Sequence, residues 1–198
     1  MSRIPQIPHA VVFDLEFTSW EGSLQRRWLG PGEFKELVQI GAVRLNAATL
    51  EEEASLDVLV KPRLNATLSD YFQTLTGITN SEVAARGVDF LAAYGRFVEF
   101  AGEAPVFAFG RDDLVFTENM RLYGIGDAPP LPPYRNIVPW LADHGMNTAR
   151  MHACDVGPRA GVAFAGRRHN ALDDARSVAS GIRALVMKGA SNPFALSP

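Results

Sequence analysis

Cysteine is almost absent: Cys154 is the only one among 198 residues. That excludes an internal disulfide and a cysteine-built zinc site. Long apolar runs are missing too. No stretch approaches the roughly 18 residues that a membrane span needs, so no membrane association is expected. Met1 to Pro8 is short, broken by Pro5 and Pro8, and lacks the apolar stretch of a secretory leader. A cytoplasmic location is the expectation. Repeats and low-complexity segments are also lacking. What remains is 47% hydrophobic and 21% charged residues, the balance of a globular protein. The length suits a single domain over residues 1–198.

The net charge of -3 gives no general attraction for nucleic acid, but the charge is unevenly spread. Residues 1–145 carry 12 Lys/Arg and 19 Asp/Glu, a balance of -7; residues 146–198 carry 7 and 3, a balance of +4. A site that grips one strand end needs only a local positive field, and bound cations would cancel some of the acids.

Ala10–Phe17, Glu36–Leu45 and Ala54–Val60 read as three antiparallel strands, with a turn at Asn46–Thr49. Helical patterns follow. Leu68–Leu75 stops at Gly77, and a short helix is capped by Thr79 or Asn80. Val88–Ala101 repeats its apolar residues with helical period. Pro105–Phe109 predicts a buried strand and Asp112–Tyr123 a helix. A proline-rich loop over Asp127–Pro133 leads to a short helix at Ile137–His144, and Asn170–Lys188 is the clearest helix of all. Three strands followed by alternating helices and strands predict an α/β fold on a mixed sheet.

Three segments carry candidate chemistry. Asp14 and Glu16 lie two apart on the first strand, so both carboxylates project from one face. The strand is otherwise apolar, and two unpaired acids there need compensating positive charge; hard cations with oxygen ligands supply it. The second segment is HNALDDA, His169–Ala175. With Leu172 set at 0° and steps of about 100°, the apolar residues occupy an arc from about 220° to 340°. Asp174 falls at about 200°, on the margin of that arc, and Asp173 at about 100°, towards solvent. His169 stands at the helix entrance, five residues before the inward acid. The third segment, FAFGRDDL at 107–114, places Asp112 and Asp113 where a strand gives way to a helix. Ligands gather at strand ends in open sheets, yet acids also suit a first helical turn. Periodicity does not choose between these two.

Taken together, these segments resemble the DEDDh, or DnaQ-like, 3′–5′ exonuclease superfamily. FDLEFT at 13–18, ELVQIGAV at 36–43, LTGIT at 75–79, FGRDDL at 109–114 and HNALDDARSVA at 169–179 carry the resemblance, over about residues 9–187. FDLEFT and HNALDDAR look most like the branch of KapD-like and histone-mRNA-trimming exonucleases. The resemblance implies a ribonuclease H-like α/β fold, a mixed β-sheet with helices on both faces. It implies two divalent cations, Mg²⁺ or Mn²⁺, held by Asp14, Glu16, Asp113 and Asp174. Spacing from the glycine favours Asp113 over Asp112 within the family pattern. Glu16 and His169 would be catalytic, with His169 as general base. Phe17, Thr18, Leu75 and Ile78 would hold the terminal nucleotide.

The implied reaction is hydrolysis at single-stranded 3′ ends of RNA or DNA, with RNA favoured, releasing nucleoside 5′-monophosphates. A homodimer is one expected assembly. The alternative is a nucleic-acid-binding module of the same fold that has lost catalysis. Two features depart from the family pattern: a long connection over Glu21–Glu33, and Ser177 where asparagine is common. Trp20, Arg26, Arg27 and Trp28 mix aromatic and basic side chains, so this connection is expected to border the strand path.

Overall fold

The computed structural model describes residues 8–195. The reading of the first eight residues therefore falls almost wholly outside the described part. β1 (His9–Phe17), β2 (Leu37–Asn46) and β3 (Glu52–Leu59) form an antiparallel meander. The Asn46 side chain shapes the β2–β3 turn by accepting from the N–H groups of Ala48 and Thr49. β4 (Val106–Ala108) and β5 (Tyr134–Asn136) join in parallel on the other side of β1, giving the order β3-β2-β1-β4-β5. β1 is thus central, as its run of apolar residues requires.

Helices cover both faces, and strand alternation decides which residues meet them. Val11, Phe13 and Leu15 face α3 (Phe90–Ala101) and α4 (Asp112–Leu122). There Phe13 packs against Phe97 and Phe116 at ring-centroid distances of 4.9 and 5.9 Å. Ala10 and Val12 face the other core, built with α5 (Val138–Asp143), α6 (Val156–Ala160) and α7 (Ala171–Met187). Asp14 and Glu16 continue this second row, so the strand directs them to the α7 side. α1 (Asp70–Thr76) and α2 (Asn80–Arg86) close a third, smaller cluster that contains Phe72, Ile78 and Val83. The expected caps form: Gly77 ends α1 in the left-handed region, and Thr79 with Glu82 makes a capping box on α2. No helix among the described residues is long and apolar enough to cross a membrane.

Three elements were not expected from the sequence. β5 is only three residues long and follows directly on the proline-rich loop. A 3₁₀ turn at Ala153–Asp155 runs into α6. Ser177, the departure noted above, fastens this pair to α7. Its hydroxyl donates to the Cys154 carbonyl (2.9 Å) and accepts from the Gly157 N–H (3.1 Å).

The seat of α7 is set by one small residue. An ideal Cβ on Gly41 would lie 2.0 Å from the Leu172 nitrogen and 2.1 Å from the Ala171 carbonyl carbon. Backbone meets backbone there, and only glycine leaves the room. Gly41 pairs with Asp14 across β1 and β2, so this contact brings the start of α7 over the two strand acids. Gly41→Ala should therefore cost stability, about 1–3 kcal/mol or more from overpacking. It should also lower activity at least about tenfold by displacing Asp174. Urea unfolding and an activity assay on the same preparation check both effects.

Candidate active site

The strand acids and the last helix meet as the residues dictate. Glu16, His169 and Asp174 each present a ligand atom, and these atoms all lie within 4.8 Å of one another. Asp14 projects beside Glu16, and its neighbours are Asp112, Glu16 and Asp174. Burial lifts the Asp14 and Glu16 carboxyls well above the usual carboxylate range, and the surrounding acids lift them further. Asp174, only 2% exposed, is pushed up to about 7, chiefly by burial.

His169 adopts a positive φ of 60°, uncommon for a residue with a side chain. Its N–H donates to Asp174 Oδ2 at 3.2 Å, which holds the turn. Burial lowers the His169 pKa, and His152 and Arg168 push the same way against an opposing Asp155; the balance favours the neutral imidazole. Asn170 caps α7 by accepting from the Asp173 N–H. Asp173 accepts from the Arg167 N–H, away from the cluster. The helical wheel thus separates the two acids as the structure does.

The third acid needs a correction of place. Asp113, the residue favoured by family spacing, is held by Arg111 in two contacts of 2.8 Å. That guanidinium keeps its pKa below the usual range. Asp112 instead adjoins Asp14 and Glu16, raising the pKa of both. Its own carboxyl is pushed up to about 7, first by burial and then by Asp113.

Two atoms test whether this cluster suits a cation. Asp112 Oδ2 and Asp174 Oδ1 are buried without a hydrogen-bond partner. Buried carboxylate oxygens are costly when left so. Glu36 shows the contrast. It is also buried, yet it accepts from the N–H groups of Arg63, Leu64 and Asn65 and from the Tyr123 hydroxyl. Glu36 is a satisfied structural acid. The cluster around Asp14 is not satisfied by protein, and its all-oxygen donors with one imidazole match hard divalent cations.

A cleft of about 580 Å³ opens on the cluster. Phe17 and Leu75 line it, together with Trp20, Leu24, Trp28 and Tyr71. Thr18 and Ile78 do not. Thr18 is buried, accepting the Glu36 N–H and donating to the Phe34 carbonyl, and so closes the strand exit. Ile78 packs in the small cluster under α1 and α2. The Glu21–Glu33 connection does border the cleft, and it is stitched down. The Trp28 indole N–H donates to the Thr18 carbonyl (2.9 Å), its ring meets Phe17 at 5.4 Å, and the Lys35 ammonium lies 4.6 Å from its centroid. Arg26 is bound to Glu33 and to the Glu21 carbonyl within the loop. Sequence reasoning missed His152, Met151 and Phe109, which also line the cleft. No motif marks Met151 and His152, which arrive at the start of the 3₁₀ turn; Phe109 stands inside FGRDDL at the end of β4, but nothing there singles it out.

Comparison with known proteins bears on the fold and the family. A stretch of 73 residues, 36% of this chain, is 38% identical to the human 3′-5′ exoribonuclease 1. That stretch spans 19% of the human protein, and the mouse counterpart matches equally. A structure of the nuclease domain of 3′hExo, a DEDDh family member, bound to rAMP has a TM-score of 0.77 at 24% identity, covering 92% of this chain and 94% of that one. A structure of 3′-end-specific recognition of a histone mRNA stem-loop by 3′-exonuclease has a TM-score of 0.78 at 22% identity, covering 92% and 83%. Cell-death related nuclease 4 follows at 0.76 and 20%, covering 93% and 66%. These likenesses give the fold, the mixed sheet of the DEDDh nucleases. The Exonuclease profile, RNase_T, matches residues 11–180, and the chain belongs to that family.

Proposed function

We propose that this protein is a divalent-cation-dependent 3′–5′ exonuclease of single-stranded ends, favouring RNA and releasing nucleoside 5′-monophosphates. The observation that carries this reading is the convergence of Asp14, Glu16, Asp112 and Asp174, with two carboxylate oxygens buried and unpartnered. Those four acids would hold the cations, with Asp112 taking the place expected of Asp113. Bound Mg²⁺ or Mn²⁺ supplies charge neutralisation for the phosphodiester and a more acidic water.

The chain's own residues do the rest. Neutral His169 takes the proton from the attacking water. Its strained turn, fixed by the Asp174 carboxylate, holds the His169 backbone beside the acids. Phe17 and Leu75 offer apolar surface for the terminal base, and Trp20 and Trp28 extend it. The lean to RNA rests on the relative named an exoribonuclease and on the two solved structures whose subjects are histone mRNA and rAMP.

The deciding experiment incubates the protein with matched single-stranded RNA and DNA in Mg²⁺ or Mn²⁺. Mononucleotides should appear from the 3′ end, faster from RNA, and EDTA should stop their release. His169→Ala should lower kcat roughly 10²–10⁴-fold. Full activity in that variant would remove His169 from the mechanism.

A smaller effect tests the loop. Arg27 is exposed, with no ion pair among the described residues, whereas Arg26 is committed to Glu33. Replacing both with alanine should weaken single-strand binding several-fold. The log–log salt slope should fall by about 0.7 for the one phosphate that Arg27 meets. Unchanged affinity and slope would detach this loop from the strand path.

A further inference from the structure

A cleft that admits a nucleic-acid end must meet phosphate oxygens with donors. Among the described residues, no lysine or arginine lines this cleft. Its charged lining is Asp14, Glu16 and Asp174, which repel phosphate until cations cover them. The remaining ionisable nitrogen donors are two imidazoles, His169 and His152. His169 is committed to the attacking water in the reading above, on which this inference rests. That leaves His152.

Its placement suits an anion. His152 is exposed at the start of the 3₁₀ turn, and its ring meets His169 edge to face at 5.4 Å between centroids. The two rings are therefore in contact, so a phosphate reached by His152 lies beside the atoms that His169 serves. Both have anchored backbones. The His152 N–H donates to Asp155 Oδ2 at 3.0 Å, while Asp155 Oδ1 binds Arg168, the residue before His169. One carboxylate thus ties the two histidine-bearing segments together and fixes their spacing. An imidazole held this way can donate to a phosphate oxygen with little ordering cost.

We propose that His152 is a substrate-binding residue that donates a hydrogen bond to the phosphate of the terminal nucleotide, and retains that contact in the 5′-monophosphate product. The ligand class is a nucleotide phosphate, and the base plays no part in this contact.

The test is calorimetric binding of a nucleoside 5′-monophosphate, in Mg²⁺, to the full chain and three variants. His152→Ala and His152→Leu should each weaken binding about tenfold, the loss of one charge-assisted hydrogen bond. His152→Gln, which keeps a donor, should stay within about threefold of the parent. KM for an oligonucleotide should rise in parallel, with kcat less affected. Unchanged binding in His152→Ala would overturn the assignment. So would a His152→Leu variant that binds as well as His152→Gln, because the ring would then only fill space beside His169. A parent protein that released no mononucleotide would instead sink the exonuclease reading, and the binding series would still decide the role of His152.

Discussion

Replacing Asp174 with asparagine should abolish activity while making the cation-free protein more stable. The loss of activity should be at least roughly a thousandfold, because a ligand worth several kcal/mol of transition-state charge is gone. The gain in stability follows from the sign of its pKa shift. In the folded chain Asp174 keeps its proton up to about 7, whereas an unfolded aspartate releases it near about 4. The folded state therefore binds more protons between these values, and stability without cations falls as pH rises from about 4 through about 7.

At pH 8 the penalty is fully present, up to about 4 kcal/mol from this group. The neutral amide of the Asp174→Asn variant would not carry it. A rise of roughly 5–10 °C in melting temperature is expected for the EDTA-treated variant over the EDTA-treated parent at pH 8. The gap should close by about pH 4. The parent should recover stability when Mn²⁺ is added, and the variant much less. Metal affinity should fall as pH drops below about 7, since cations bind the deprotonated acids. A parent whose cation-free melting temperature is flat between pH 4 and pH 8 would contradict the assigned environment.

The second large effect separates two adjacent aspartates. Asp112→Asn should lower activity by at least roughly a hundredfold and weaken Mn²⁺ binding. Asp113→Asn should change activity by no more than a few-fold, because Asp113 only pairs with the largely exposed Arg111. Calorimetric Mn²⁺ titration beside a kinetic assay reads both. The reverse ranking would return the third ligand to Asp113 and show that the start of α4 rotates when cations bind.

Much of this arrangement was legible beforehand, and the reasons differ by element. β1 could be read because alternation is strict: one row of apolar residues for each core, with Asp14 and Glu16 ending one of them. α7 could be read because seventeen residues give the helical period time to repeat, and it placed Asp174 inward. α4 defeated the same method. Asp112 and Asp113 are its first two residues, and their directions depend on how the chain leaves β4 through Gly110 and Arg111. No periodicity records that exit. Thr18 and Ile78 mislead for a related reason: a motif names a segment, but tertiary packing decides which of its side chains face the cleft. β5 and the 3₁₀ turn are three residues each, too short for any pattern to emerge. His152 arrived with the second of these.

Gln39 gives the edge of the sheet a hand in the chemistry. It pairs with Glu16 across β1 and β2 and is almost wholly buried. Its amide oxygen accepts the N–H of Ala171, the first residue of α7, at 2.9 Å, and its amide nitrogen donates to Asp57 Oδ1 at 2.8 Å. Asp57 is exposed on β3, an edge strand. Its carboxylate fixes which way the Gln39 amide is turned, and that orientation decides whether α7 finds an acceptor or a clashing donor at its first turn. An exposed acid on the rim thus acts as a latch for the helix that delivers Asp174.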